Sequence, residues 1–428
     1  MLEKLFGFDS RKTSVGTEII AGLTTFLTMA YVLALIPSTL AKTGMDQGAV
    51  FTTIIIATVF STLLMAFYAK LPFALAPSVG LNAFFVYTVC MAMDYTWQFA
   101  LTAVFLEGLV FIFLTVTHLR QKIVDLLPDV IKKSMGVGIG LFITFIGLQN
   151  AGIVVDNPAT LVSLGNVTSG SGLLGMIGLL LTAILLAFKV RGAMLISMVL
   201  ITIIGIPMGV THFDGIFSAP PSIEPVMGQF VWDQIFSKDM LIIVFTFLFV
   251  DMFDTIGTIV GVSVKAGMVD KDGKIPHLGK AFLVDAIGTT VGAFLGSSTI
   301  TTFVESTSGI SAGGRSGLTA FVTAMCFVLA LFLSPFFLCV PAAATGPILA
   351  IVGLMMLSLI TKINFDDYTE SVPAFICMIF MPMAFSISDG IVLGLLSYVF
   401  INLLTGNFKK MSVGTYILAI LFLYKYLM

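Results

Sequence analysis

The chain reads as an all-α polytopic membrane protein, with fourteen transmembrane segments in two inverted repeats of seven and with spans 3 and 10 broken. Three observations lead there. Hydrophobic residues fill 58% of the 428 positions and charged residues only 10%, whereas a soluble domain is nearer a quarter charged. Apolar runs of about 20 residues recur along the whole length, each long enough to cross a ~30 Å hydrocarbon core as a helix. Basic residues gather in alternate connections. A β-barrel would show ~10-residue alternating segments instead.

Residues 1–17 are polar and mixed, with Lys4, Arg11 and Lys12. The run at about 18–40 is too long for a cleaved signal peptide and lacks its flanks, so it is span 1. Spans 2 to 7 follow at about 48–68, 72–92, 97–117, 130–150, 172–189 and 191–210. A 28-residue external connection (211–238) leads to spans 8 to 14, at about 239–263, 278–296, 297–314, 317–338, 341–360, 372–387 and 388–406. The segment 413–427 is apolar but short, an extra helix or an interfacial one.

Loop charge tests this count. With the N-terminus in the cytoplasm, the inner segments hold eighteen Lys and Arg, and the outer ones hold only Lys42 and Lys238. An error of one span would mix the two sets from that point on. Trp97 and Trp232 fall on the expected outer boundary, where interfacial anchors sit.

The halves carry faint echoes of each other. Thr25-Phe26-Leu27 recurs as Thr246-Phe247-Leu248. Pro128 and Gly140 flank span 5 as Pro341 and Gly353 flank span 12. Ala187-Phe188 with Gly192 is matched by Ala384-Phe385 with Gly390. Seven spans per half is odd, so the halves would be inverted, as in many secondary transporters.

Spans 3 and 10 are irregular. The first carries "FALAPSVGLNAFF" (73–85), where Pro77, Gly80 and Asn82 interrupt the helix. The second carries "GSSTITTFVES" (296–306), rich in Ser and Thr up to Thr302. Corresponding broken segments point to a transport site, because their free backbone groups must be met by protein or by a polar ligand. A packed, kinked helix is the plainer reading of span 3 alone.

Ionisable residues inside spans are few and each needs a reason. In "FLFVDMFDTIGTIVGV" (247–262), Asp251, Asp254, Thr255 and Thr258 share a polar side of one helix. Glu305 adds a third carboxyl. A cluster that only locks helices together is the structural alternative, with Asp254 as the member bonded to backbone or hydroxyls of span 3 or 10. Glu107 and Asp285 are single acids, Asp285 being gating or structural. Glu18 suits a helix N-terminus. Asn150 and Gln149 are interfacial. His118, His212 and His277 lie in connections, and the inner stretch "VDKDGKIPHLGK" (269–280) is a solvated turn. The four cysteines have no metal spacing, so no metal or cofactor is expected. A net charge of −2 without a basic tract gives no sign of nucleic acid.

At "TEIIAGLTTFLTMAYVL" (17–33), "APSVGLNAFF" (76–85), "VDMFDTIGT" (250–258) and "AFLGSSTITTFVESTSGISAGGRSGLTA" (293–320) the chain resembles a known family. It is similar to the hypoxanthine/guanine/adenine permeases, the azaguanine-type branch of the nucleobase–ascorbate transporter superfamily, from about residue 5 to 406. The resemblance implies a core domain of 18–117 and 239–338 and a gate domain of 128–210 and 341–406, proton-coupled purine uptake across the cytoplasmic membrane, and a possible homodimer. It places the binding acids at Asp251 and Glu305, the span-3 polar residue at Asn82 and a second motif acid at Asp254. Gly80 and Thr302 flank the expected site, and Phe84, Phe253 or Phe303 would stack on the base, unless they merely pack. The chemistry agrees. A carboxylate accepts from N–H groups of a neutral purine and, once protonated, can also donate. Glu305 is expected to hold the base, with Asp251 or Glu305 carrying the coupling proton.

Sodium coupling in the same fold is the alternative. An anion carrier would avoid carboxyls at its site. An intramembrane aspartyl protease needs its two Asp on separate helices in a Gly-x-Gly-Asp setting, which is missing here.

Overall fold

The computed structural model describes residues 2–11, 13–117, 119, 127–213, 215–265, 268, 277–407 and 411–427. His118, most of the expected inner turn 269–280, and Lys12, Arg120, Lys122, Lys271, Lys274, Lys409 and Lys410 of the charge argument lie outside the described residues.

A short helix α1 (Leu2–Phe6) precedes α2 (Val15–Met29), which breaks at Ala30 and Tyr31 and resumes as α3 (Val32–Leu40). After α4 (Gln47–Leu64), strand β1 (Leu75–Pro77) leads into α5 (Val79–Ala83), which runs on as a π-helix to Ala92. Next come α6 (Trp97–Val116), α7 (Asp129–Asn150), a hairpin of β2 (Val154–Asn157) and β3 (Leu161–Leu164), α8 (Gly170–Ala187) and α9 (Ala193–Gly205). The second half holds α10 (Lys238–Lys265), α11 (Leu278–Leu295), β4 (Ile300–Thr302), α12 (Ser306–Ser311), α13 (Gly317–Ala330), α14 (Ser334–Leu338), α15 (Ala342–Met356), α16 (Tyr368–Met383) and α17 (Ile387–Leu404). The apolar segment after them is a helix, α18 (Val413–Leu427).

The fold is therefore mostly helical, not wholly so. β1 and β4 form one ladder, and β2 and β3 form a hairpin that alternation did not flag. Among the described residues, ten helices are long and apolar enough to cross a membrane. Val79–Ala92, Ala193–Gly205 and Tyr368–Met383 are shorter apolar helices. Side-chain caps start many of them: Ser14 accepts from Thr17 N, Asp46 from Ala49 N and Thr96 from Phe99 N. Each satisfies an amide that the first helical turn leaves open.

Two sets of helices pack together. In one, α13 lies on α2 and α4, and α11 on α4 and α6. In the other, α15 lies on α7, α8 and α9, and α16 on α7 and α17. The α7–α15 seam is backbone on backbone. A Cβ on Gly147 would stand 2.6 Å from the Gly346 carbonyl oxygen, and one on Gly140 2.7 Å from that of Gly353. In lipid, helices gain by such close approach through small residues.

The two interrupted segments meet at the centre. β1 and β4 run antiparallel, with Leu75 opposite Thr302, Ala76 opposite Thr301 and Pro77 opposite Ile300. Ser78 N–H donates to the Thr299 carbonyl and Phe303 N–H to that of Ala74, both at 2.9 Å. The outer edges of this two-stranded ladder would be bare. Thr62 of α4 closes one, its hydroxyl accepting from Leu75 N at 3.1 Å and donating to Leu75 O at 3.2 Å. Thr289 of α11 closes the other in the same way on Ile300, at 3.2 and 2.9 Å. Buried backbone groups away from water demand such partners.

Candidate functional site

Past the ladder, each segment turns into a helix beside the other. Ser78 caps α5, and Glu305 stands at the N-cap position of α12. Between them lies a cavity lined by Tyr31, Ser78, Val79, Gly80, Asp254, Thr258, Thr301, Thr302, Phe303, Val304, Glu305, Val352 and Met356. It encloses about 80 Å³ and opens at its mouth. Its wall carries two carboxyls and no basic residue. Glu305 Oε1 accepts from the Tyr31 hydroxyl at 2.8 Å, and Asp254 Oδ2 accepts from Ser78 Oγ at 3.1 Å. Tyr31 reaches Glu305 because span 1 breaks there, and the phenol is buried completely.

The expected site residues divide. Glu305, Asp254, Gly80 and Thr302 line the cavity, as does Phe303. Asn82 stands behind the wall, accepting from Ser298 Oγ at 3.3 Å. Phe84 packs edge-on against Phe247, with centroids 4.9 Å apart, and Phe253 packs on Phe249. Neither touches the cavity. Asp251 is fully buried and does not line it either. Positions three apart on a helix are about 60° apart around its axis. Asp254 with Thr258 therefore faces the cavity, while Asp251 with Thr255 faces away.

What Asp251 faces is a second group of acids. The Thr255 hydroxyl contacts Asp251 Oδ1 at 3.2 Å and also Asp285 Oδ2, and Thr302 Oγ1 donates to Asp285 Oδ1 at 3.0 Å. Glu107 of α6 abuts Asp251. Glu107 and Asp285, single acids by sequence, thus belong to one buried group with Asp251.

Other expectations meet the geometry as follows. Glu18 caps a different helix from its own: its carboxylate accepts from Arg315 N at 3.0 Å, Thr319 N at 3.2 Å and Thr319 Oγ1 at 2.5 Å. Arg315 in turn donates to the carbonyls of Ile310 and Gly314, both at 2.6 Å, and so fastens the glycine turn after α12. Asn150 joins Tyr87 and Lys42: it donates to the phenol at 2.9 Å and accepts from Lys42 Nζ at 2.5 Å. Sequence reasoning passed over Tyr31, Val352 and Met356 as cavity residues. Tyr31, a hydroxyl in mid-span, was the one detectable signal; Val352 and Met356 look like any lipid-facing residues.

Many apolar spans, two strands crossing at the centre and a polar cavity beside them define a multi-pass membrane transporter, and comparison with known proteins narrows the class. Residues 16–393 match the Permease family profile (Xan_ur_permease), and the chain belongs to that family. It is 43% identical to adenine permease AdeP of Escherichia coli, over 99% of this chain and 96% of the relative. It is 42% identical to guanine/hypoxanthine permease PbuG of Bacillus subtilis, over 99% and 98%. A putative permease of Methanocaldococcus jannaschii, MJ0326, is 46% identical over 98% and 97%. The fold resembles the transmembrane domain of the cyanobacterial bicarbonate transporter BicA (TM-score 0.65, 17% identity, 89% of this chain and 97% of that one). It also resembles the murine anion transporter Slc26a9 in its inward-facing state (TM-score 0.68, 12% identity, 94% and 70%). The chain is a transporter and not an enzyme, so the protease alternative falls.

Proposed function

We propose that the chain is a proton-coupled importer of purine nucleobases, with the base held in the cavity between Asp254 and Glu305. The observation that carries this reading is the wall itself: two carboxyls, several hydroxyls, two aromatic rings and no basic residue. Such a wall suits a flat neutral heterocycle with N–H donors and repels an anion. Glu305 and Asp254 accept the base's N–H groups, the hydroxyl of Thr301 meets an acceptor, and Phe303 offers a ring face. Asp251, off the cavity, belongs to proton coupling and not to contact with the base. The relatives that bear adenine and guanine/hypoxanthine names support the purine class.

The proposed architecture is fourteen spans in two inverted sevens, with the N-terminus cytoplasmic. The strand crossing supports it: Thr62 with Leu75 and Thr289 with Ile300 are one arrangement occurring twice, related by the antiparallel pairing. The core holds 18–117 and 239–338, and the gate 128–210 and 341–406. The cavity then lies between core and gate, with Thr258 and Met356 in its cytoplasmic half, an inward-facing form.

Competition of unlabelled hypoxanthine, guanine, adenine, xanthine and uracil against labelled base uptake, with and without a protonophore, tests substrate and coupling together. Glu305→Gln is expected to abolish coupled uptake in a carrier that still folds. Normal proton-driven accumulation in that variant refutes the role.

A further inference from the structure

A second cavity lies away from the acids. It encloses about 210 Å³ and is open on one side. Val199 and Ile203 of α9 form one wall, Phe336 of α14 and Val340 just after it form another, and Phe213 and Ile216 of the external connection form the third. The connection is fastened at both ends of this space. A Cβ on Gly205 would stand 2.5 Å from Thr211 Oγ1, so the connection is pressed against the end of α9. Further on, Ser218 N–H donates to the Phe332 carbonyl at 3.1 Å, and the Ser218 and Ser334 hydroxyls bond at 2.7 Å. The connection thus bridges α9 and α14 and holds the walls in place. Val199, Ile203, Ile216 and Val340 are β-branched and stiff, and so do not swing in to fill the space. The wall is almost wholly apolar. Its two polar side chains turn back on the backbone: Thr202 Oγ1 donates to the Met198 carbonyl at 2.7 Å and Cys339 Sγ to that of Phe336 at 3.2 Å. A buried water needs several polar partners, which this wall does not offer, whereas a dry apolar cavity of about 150 Å³ is known to take up benzene.

What lies against this cavity is the bilayer. Ile203, Phe213 and Ile216 line it and are still 55%, 49% and 48% exposed, so the opening passes between them. Leu200 and Phe332 beside them are exposed and apolar too. On a chain that spans a membrane, such a surface meets hydrocarbon. An empty space there forfeits dispersion contacts along its whole lining. A neighbouring acyl chain restores them without burying any polar group. We infer that one acyl chain of a bilayer phospholipid occupies this cavity, entering between Ile203 and Ile216 and ending against Val340. In the proposed topology this is the outer leaflet. The site goes beyond the transport reading and does not depend on which solute is carried. Its walls come from α9 of one helix set and α14 of the other, so the chain sits in the seam along which the proposed core and gate move.

The test uses the full-length chain in detergent-free nanodiscs of phosphatidylethanolamine and phosphatidylglycerol. A trace phospholipid carries a photoreactive diazirine near the end of one acyl chain, and labelled positions are mapped by mass spectrometry after irradiation. Leu329, 69% exposed, reports ordinary lipid contact, whereas Val340, 7% exposed, is reached through the cavity. Wild type is expected to be labelled at both. In Val199→Trp, whose ring fills the cavity, labelling at Val340 is expected to be lost and that at Leu329 kept. Wild type labelled at Leu329 but not at Val340 overturns the inference, and so does Val340 labelling that survives in Val199→Trp. Labelling of Val340 by a free diazirine fatty acid but not by the phospholipid overturns the phospholipid as the source. Labelling in discs that hold one copy of the chain but not in discs that hold two would show a second copy in the cavity, and also overturns it. If Val199→Trp does not fold, the wild-type comparison of the two positions still decides. Failure of base uptake in the same preparations bears on the transport reading alone.

Discussion

Tyr31 shows how one hydroxyl can orient a binding acid. It leaves the helix axis at the break between α2 and α3 and ends on Glu305, at 2.8 Å. A hydrogen bond to a charged group contributes about 1.5–3 kcal/mol. Tyr31→Phe is expected to weaken equilibrium binding of labelled base by about tenfold while leaving the protein folded; unchanged affinity would show that Glu305 is oriented by something else. The acids themselves were legible, because a carboxyl in an apolar run is conspicuous. Which acid meets the cavity was not. Asp251 and Asp254 are near neighbours on one helix, and the assignment turns on about 60° of helix rotation, which only packing fixes. Glu107 stood out even less, since its partner lies 144 positions away.

At the scale of elements, the breaks in spans 3 and 10 were readable from Pro77, Gly80 and the Ser/Thr run before Glu305. Their pairing into a ladder was not, because strand pairing between segments 225 positions apart leaves no local pattern. The ladder's edges depend on two threonines. Thr62→Val or Thr289→Val keeps the shape and strips both backbone partners, at a cost of about 1–3 kcal/mol for each buried group left unsatisfied. Either is expected to lower the melting temperature in detergent; an unchanged midpoint would mean the edges find other partners. Outside the spans, the Tyr95 hydroxyl donates to Asp239 at 2.5 Å and ties the start of α6 to that of α10. That hydrogen bond, helped by desolvation, pushes the Tyr95 phenol up to about 12. The neutral phenol is the form held, so the stabilisation is lost as pH rises from the ordinary value, about 10, through about 12. An absorbance titration should show Tyr95 titrating late, and Asp239→Asn should bring it back toward the ordinary tyrosine value.

Across the whole molecule, the proposed core and gate meet differently on the two sides of the cavity. On the cavity side they are parted at Val352 and Met356. On the other side Lys42 and Tyr87 of the core bond Asn150 of the gate, and Thr88 Oγ1 donates to the Phe385 carbonyl at 3.3 Å. Alternating access requires one side closed while the other is open. In Lys42→Ala this outer contact loses its cation and the two hydrogen bonds that the cation makes. A cysteine placed at Tyr87 in a background without the four native cysteines should then react faster with a membrane-impermeant thiol reagent. Equal rates with and without Lys42 would mean that the closure does not depend on it.

The sequence by itself determined that the chain lives in a bilayer, where its long apolar helices lie, that the segments around Pro77 and Thr302 are irregular and that acids lie among the apolar runs. Each of these is written in hydropathy, charge and helix-breaking residues, which act locally or over one span. Only the tertiary structure decided that the interrupted spans pair as strands, that Asp254 rather than Asp251 joins Glu305 on the cavity wall, and that Glu107 and Asp285 close around Asp251. Those outcomes depend on the rotation and approach of helices far apart in sequence. A few degrees or ångströms of packing choose between a cavity and a buried cluster, and composition does not encode them.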